Sequence, residues 1–347
     1  MNPLASSMVW PADGLDDWWH AAHARAAPLL DWAALCGDTA WGGQGLPLAV
    51  LCRVLEALSA DQASAAATVY ASAAAHLALR ACQPRPARGA LLQDVSGGWL
   101  AWPAFHCVDE QLWPAVDAQG YLRGHVDMLL SGVDARWAVI PAQGREQSLV
   151  LVLVNLTHPA VTRGPAMRTL GLPTCGINDV EFGGVPCEVI STDGRAVWAR
   201  VSAELAPAVV AMQCGLSRGS LQAALQHAAT REQGGGVLLG WGEVRRMLSL
   251  MQERLRVMQG LLLASLSGAS GDSALYAALH VGQLACQQTI DGVQLMGGGG
   301  CQTASAQSQR LCDAQQVYGM LGGVAWRRQA LLTQVLSTRH DVDGQAA

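Results

Sequence analysis

The sequence contains no lysine: all 22 of its basic residues are arginine. This absence excludes a lysine Schiff base and a phosphate-binding loop built around lysine. Charged residues are also sparse, at 14% of the 347 residues, whereas apolar residues make up 51%. A chain of this length and composition is expected to bury a large core and to form two or three domains.

The cysteines and the apolar runs exclude further classes of protein. None of the ten cysteines forms a Cys-x-x-Cys pair, and no cysteines and histidines have zinc spacing, so we expect isolated thiols in a reducing compartment. The apolar runs are shorter than the roughly 18 residues that can span a bilayer. Residues 1–17 lack a basic segment followed by an apolar one, so we expect a cytoplasmic protein. The net charge of −5 indicates no nucleic-acid partner.

The spacing of apolar residues changes twice along the chain. Residues 15–82 are rich in alanine and leucine at helical spacing, and residues 90–195 carry short β-branched runs between turn residues. Helical spacing returns after residue 203 in two apolar stripes that are typical of a helix bundle. These stripes are Val244, Met247, Leu248, Met251, Leu255, Met258 and Leu262, and then Leu275, Leu279, Cys286, Ile290 and Val293.

This order predicts an α+β multidomain fold with helical parts on either side of a β part. We place an N-terminal helical domain at residues 1–88 and a middle β domain, a sandwich or a barrel, at residues 89–200. A C-terminal four-helix bundle is predicted at residues 201–336, followed by a flexible tail at residues 337–347.

Several short motifs follow one another with characteristic spacing. They are Trp41-Gly-Gly-Gln-Gly-Leu46, Gly120-Tyr-Leu-Arg-Gly124, Val180-Glu-Phe-Gly-Gly-Val-Pro186, Ala228-Ala-Thr-Arg231, Gln294-Leu-Met-Gly-Gly-Gly-Gly300, Asp313-Ala314 and Arg328. In order and spacing they resemble the motifs of the acyl-CoA dehydrogenases, from about residue 40 to residue 328. The chain resembles a divergent, short member of that family, similar to subunits of its heteromeric enzymes.

The resemblance implies a fold, a reaction and partners. Such enzymes bind FAD and an acyl-CoA; a carboxylate removes the α-proton of the thioester and the flavin accepts the β-hydride. They assemble as homo- or hetero-oligomers, with one subunit's β domain holding the isoalloxazine and the neighbouring subunit's bundle holding the pyrophosphate and adenine. We therefore expect an acyl-CoA substrate, FAD and a related dehydrogenase subunit as partners.

The resemblance assigns the pyrophosphate half of an FAD site to five residues of the bundle. Arg231 would supply a donor fork for phosphate oxygens and Gln294 an amide, while Gly297, Gly298 and Gly300 would let backbone N–H groups approach closely. Two supporting positions differ from the family: its stacking phenylalanine is Gly234, and a glutamine is Gly242. These changes predict weaker binding of the adenine side.

The isoalloxazine half departs further from the family. Its Trp-Ile-Thr/Ser becomes Met128-Leu-Leu130, which removes a hydroxyl donor unless Ser131 replaces it through a one-residue shift. Leu321 stands where most members carry the catalytic glutamate, and leucine cannot abstract a proton. Other members place the glutamate at the start of the first bundle helix, and Glu204 lies one residue from that position.

Three hypotheses about function remain. In the first, the chain is an acyl-CoA dehydrogenase subunit whose partner supplies the isoalloxazine pocket and the base. In the second, it is a self-sufficient dehydrogenase that uses Glu204 as the base. In the third, it is a non-catalytic homologue that kept the fold and lost the chemistry.

Overall fold

The computed structural model describes residues 32–82, 89–104, 112–267, 273–320, 323–325, 327–329 and 331–332. The chain begins with the helices α1 (Leu48–Ser59), α2 (Ala63–Ala81) and α3 (Gly89–Ser96). The strands β1 (Leu100–Pro103), β2 (Ala115–Val116), β3 (Tyr121–Leu130), β4 (Trp137–Gln143), β5 (Leu149–Asn155), β6 (Val161–Arg163) and β7 (Asn178–Ser191) follow.

The C-terminal half is helical. It comprises α4 (Gly194–Thr230), the hairpin strands β8 (Glu232–Gln233) and β9 (Gly236–Val237), α5 (Gly242–Leu266), α6 (Ser273–Leu295), a 3-10 helix (Gly297–Cys301) and α7 (Ala306–Gly319). The predicted α+β fold class is confirmed. Within the described residues, no helix combines the length and apolar character that crossing a membrane requires.

The strands of the middle region close into a ring. β3 pairs with β1 and β7, β7 pairs with β5, β5 with β4, and β4 returns to β1. β1 and β2 lie end to end between β3 and β4. Because side chains alternate along a strand, β5 is apolar on both faces: Val152 and Val154 pack inside the ring, whereas Leu151 and Leu153 face the helices.

The bundle stripes predicted from the sequence are largely buried. Leu248, Met251, Leu255, Met258 and Leu262 lie in the core, as do Leu275, Leu279 and Cys286. Ile290 is an exception, since it is 45% exposed. Ile290 fits the helical spacing of the stripe, but its side chain lies outside the face of α6 that packs against the neighbouring helices.

Helix α4 crosses the end of α1 at two glycines. A Cβ at Gly215 would lie 2.2 Å from the carbonyl oxygen of Glu56, and one at Gly219 would lie 2.2 Å from the carbonyl oxygen of Ala60. These contacts are too close for any side chain. The N-terminal helices therefore pack directly against the backbone of α4.

This contact predicts opposite effects for two helical Gly→Ala substitutions. Gly215→Ala should lower the free energy of unfolding by about 1–3 kcal/mol, because the new Cβ displaces a backbone carbonyl. Gly260→Ala is the matched control: no atom lies within 4 Å of its Cβ position, so helix propensity should raise stability by about 0.5–1 kcal/mol. Urea unfolding of both variants measures the difference, and equal effects would contradict the contact.

His76 of α2 is buried without the partners that a histidine usually has. It is 1% exposed, and among the described residues neither ring nitrogen has a hydrogen-bond partner. Its Nδ1 lies 3.1 Å from the position that a Cβ on Gly37 would occupy. Burial lowers the pKa of His76 to about 4, because the imidazolium loses its hydration.

A lowered pKa makes His76 an acid-labile element of the fold. The His76 imidazole takes up a proton near pH 6.5 in the unfolded chain and near pH 4 in the folded chain. The stability that this difference contributes is therefore fully present above pH 6.5 and is lost as pH falls toward 4. The loss should total roughly 3 kcal/mol, at about 1.4 kcal/mol per pH unit. Comparing urea unfolding of His76→Leu and wild type across this range isolates the effect. His125→Leu, at an exposed histidine, is the matched control for replacing a histidine by leucine.

Candidate functional site

Arg231 ends helix α4 and begins the β8–β9 hairpin. Its N–H donates to the carbonyl oxygen of His227 at 2.9 Å, and its own carbonyl oxygen accepts the N–H of Leu238 at 2.8 Å. The backbone is thus fixed on both sides, while the guanidinium is exposed. In the part of the chain that the structure describes, no hydrogen bond or ion pair occupies that guanidinium, so it remains open to an anion.

The glycine stretch follows α6 as a 3-10 helix. Gln294 is exposed on the last turn of α6. Gly297 and Gly298 are also exposed, and apart from their chain neighbours no atom of the described residues lies within 4 Å of their Cβ positions. Gly300 is different: a Cβ there would lie 2.4 Å from the carbonyl oxygen of Val293. The first two glycines leave backbone open to a ligand, whereas Gly300 is needed for packing.

The structure brings these residues to one end of the bundle without bringing them into contact. Helices α4 and α6 lie side by side, with Gln288 Nε2 donating to the carbonyl oxygen of Ser217 at 3.4 Å. At a rise of 1.5 Å per helical residue, Arg231 lies about 21 Å beyond Ser217 along α4. Gln294 lies about 9 Å beyond Gln288 along α6, in the same direction. The two are therefore staggered by about 12 Å along the bundle axis.

The end of β3, to which the sequence resemblance assigned the isoalloxazine half, is closed by its own packing. Leu130 is 1% exposed and belongs to the core, and the N–H of Met128 donates to Asp179 Oδ1 at 2.9 Å. Ser131 is also 1% exposed, and its hydroxyl has no hydrogen-bond partner within the described residues. A buried hydroxyl cannot donate to a ligand at the surface. The suggestion that Ser131 replaces the donor stays a prediction, which its burial does not favour.

Backbone strain is concentrated at this edge. Met128 and Ser131 have φ values of 52° and 58°, a left-handed conformation that costs energy in residues with a Cβ. The β3–β7 pairing shifts register between Val126 and Leu129, which is the geometry of a β-bulge. A comparison of short sequence motifs cannot detect such a bulge, because the extra residue leaves no local sequence signal.

Of the two positions considered for a catalytic base, the structure describes Glu204. α4 begins at Gly194, where the Asp193 carboxylate accepts the N–H of Ala196 at 3.3 Å, so Glu204 is not at a helix start. Glu204 is exposed, whereas Leu205 beside it is fully buried. The helix start is not reset in the way that would turn Glu204 inward. Leu321 lies outside the described residues.

A tryptophan cluster that sequence reasoning missed lies next to Leu130. Trp102 of β1 pairs with Leu130 in the sheet, and its ring stacks on Trp198 of α4 with centroids 4.5 Å apart. Trp113 meets Trp198 edge-on at 6.0 Å. All three are at least 92% buried. The residues are far apart in sequence, and no spacing signal connects them.

The segment between β6 and β7 joins all three parts of the molecule. The Asp313 carboxylate of α7 accepts the N–H of Leu172 at 2.7 Å, and the N–H of Thr174 donates to Ser64 Oγ of α2 at 3.3 Å. On the sheet side, the N–H of Ser131 donates to the carbonyl oxygen of Cys175 at 3.2 Å. Burial raises the pKa of Asp313, and its hydrogen bonds oppose that shift.

Two arginines near the C-terminus have structural roles. Arg310 of α7 donates to the carbonyl oxygen of Ala60 and to Asp61 Oδ1, both at 2.8 Å, and ties α7 to the α1–α2 turn. Arg327 is fully buried and donates to the backbone carbonyl oxygens of Ala278 and Gly323, at 2.8 and 3.0 Å, and to that of Tyr318. Arg328, the last residue of the sequence match, is exposed.

Known structures share this architecture, although no protein-family model and no curated protein sequence matches the chain. Glutaryl-CoA dehydrogenase from Mycobacterium smegmatis superposes with a TM-score of 0.79 at 14% identity, over 93% of this chain and 94% of that one. Butyryl-CoA dehydrogenase from Megasphaera elsdenii gives 0.78 at 16%, over 89% and 88%. The Tcur3481–Tcur3483 steroid acyl-CoA dehydrogenase gives 0.74 at 20%, over 94% and 90%.

The molecule is thus an α+β protein in which helical segments precede and follow a closed strand ring along the chain. More particularly, it has the fold of the acyl-CoA dehydrogenases. The resemblance inferred from short motifs is confirmed at the level of the fold.

The hydrogen bond from Leu172 to Asp313 can be tested by two substitutions. Asp313→Ala leaves a buried N–H without an acceptor and should lower the free energy of unfolding by about 1–3 kcal/mol. Asp313→Asn keeps an oxygen acceptor and removes a carboxylate whose ionisation is disfavoured by burial. It should therefore lower the free energy of unfolding by less than Asp313→Ala does. Urea unfolding at pH 7 compares the two, and a larger loss for Asp313→Asn would contradict this role.

Proposed function

We propose that the chain is a flavoprotein subunit of acyl-CoA dehydrogenase type that works in a heteromeric complex. It would lend the pyrophosphate and adenine half of an FAD site to a related partner subunit. The proposed reaction is the α,β-dehydrogenation of an acyl-CoA thioester. When bound, FAD would accept the hydride.

The observation that carries the proposal is the contrast between the two halves of the site. At the bundle end, the Arg231 guanidinium is exposed without a partner among the described residues, and Gly297 and Gly298 leave their backbone accessible. A guanidinium and open backbone N–H groups are each suited to binding phosphate oxygens. At the β3 edge, Leu130 and Ser131 are each 1% exposed and offer no donor. One half fits a dinucleotide and the other does not.

This asymmetry favours a partner subunit over a self-sufficient enzyme. Glu204 is exposed while Leu205 faces the core, so the chain presents no carboxylate from α4 to the interior. A partner of the same fold would have to supply both the ring-binding strand edge and the base. The Tcur3481–Tcur3483 steroid acyl-CoA dehydrogenase, which is named for two gene products, is consistent with such pairing.

Flavin content tests the proposal directly. The chain purified alone should be nearly colourless, and the same chain co-purified with the product of an adjacent gene should show flavin absorption near one FAD per pair of chains. Dehydrogenation of acyl-CoA substrates should require both chains. Full FAD occupancy and turnover by the chain alone would refute the heteromeric role.

A pair of arginine substitutions separates the nucleotide contact from general damage. Arg231→Gln should weaken FAD binding by the complex about 10- to 150-fold, because it removes a charge-assisted hydrogen bond worth about 1.5–3 kcal/mol. Arg256→Gln is the control, since Arg256 is exposed in the middle of α5, away from the bundle end. Size-exclusion chromatography should show intact complexes in both cases.

A further inference from the structure

The β8–β9 hairpin contains an aromatic side chain in the place where the sequence indicated a loss. Gly234 stands where the family carries phenylalanine, yet the ring of Trp241 lies directly against Gly234. A Cβ at Gly234 would be 3.2 Å from Cζ2 of the indole and 3.8 Å from Cη2. The indole and a side chain at position 234 would thus compete for the same space.

The indole is both exposed and held in orientation. Trp241 is 47% exposed, so about half of its surface stays open after it has packed on the hairpin. Its Nε1–H donates to the carbonyl oxygen of Gln233 at 3.3 Å. Its backbone N–H donates to the carbonyl oxygen of Leu238 at 3.0 Å. A large apolar ring that is exposed and yet anchored is suited to stacking with a flat ligand.

The charges around this ring favour an anionic ligand. The hairpin and the first turn of α5 carry Arg231, Arg245 and Arg246 against Glu232 and Glu243. Arg246 is paired with Glu243, with Nε 2.8 Å from Oε2. Arg245 Nε donates to the carbonyl oxygen of Leu239 at 2.7 Å, and the Arg231 guanidinium has no partner within the described residues. A flat ring and free guanidinium charge together match an adenine nucleotide.

We propose that Trp241 is the adenine-stacking residue of this chain, with Arg231 binding the attached diphosphate. The inference rests on the proposed function for the identity of the ligand, an adenosine diphosphate unit of FAD or of coenzyme A. The indole supplies the aromatic stacking surface that the glycine at position 234 lacks. It belongs to a different turn of the chain, so a sequence alignment does not reveal the exchange.

Calorimetric titration of the full-length chain with ADP tests the inference. Trp241→Ala should weaken ADP binding by about five- to a hundredfold, since base–aromatic stacking contributes about 1–3 kcal/mol. Trp241→Phe keeps a stacking ring and should stay close to wild type. Tyr276→Ala is the matched control: Tyr276 is 44% exposed at the start of α6, at the opposite end of the bundle, and its removal should leave ADP binding unchanged.

The possible outcomes distinguish this inference from the proposed function. Unchanged ADP affinity in Trp241→Ala would overturn the inference, whereas the flavin content of the co-purified complex tests the function independently. Absence of ADP, FAD and coenzyme A binding to wild type would also overturn it. A change of oligomeric state in Trp241→Ala with ADP affinity intact would show a protein contact instead. Titration with FAD and with coenzyme A, whose adenosine carries an extra 3′-phosphate, identifies which molecule supplies the nucleotide.

Discussion

A single helix, α4, connects every part of the described structure. It runs for 37 residues from Gly194 to Thr230. At its start, Gly194 packs against the backbone of β5, where a Cβ would lie 2.6 Å from the carbonyl carbon of Val150. In its middle, Gly215 and Gly219 leave room for the carbonyl groups at the end of α1. Because these contacts involve backbone atoms, they fix the distances between the strand ring, the N-terminal helices and the bundle.

The two halves of the candidate site lie at opposite ends of this helix. Trp198, near its start, stacks on Trp102 beside Leu130, and the surrounding packing fills the β3 edge with apolar side chains. Arg231, at its end, is exposed next to an open hairpin. The long rigid helix separates a closed half from an open half. This separation is the feature on which the proposed sharing of a dinucleotide site between two subunits rests.

The segment between β6 and β7 and the arginine Arg310 hold this arrangement by hydrogen bonds. Leu172 has a φ of 50°, and the Asp313 carboxylate accepts its N–H. Arg310 binds the α1–α2 turn from α7. These contacts join residues that are more than a hundred positions apart, which sequence spacing cannot reveal. They explain why Asp313, first noted as part of a short motif, is a structural residue.

The sequence by itself determined the fold class, the helical stripes and the motif order, because periodicity and short motifs are local properties. Tertiary structure decided the rest. Burial of Ser131, the outward direction of Glu204 and the position of Trp241 against Gly234 each depend on how distant segments pack. Alignment compares residues at one position, whereas packing lets a residue seven positions later occupy the same space.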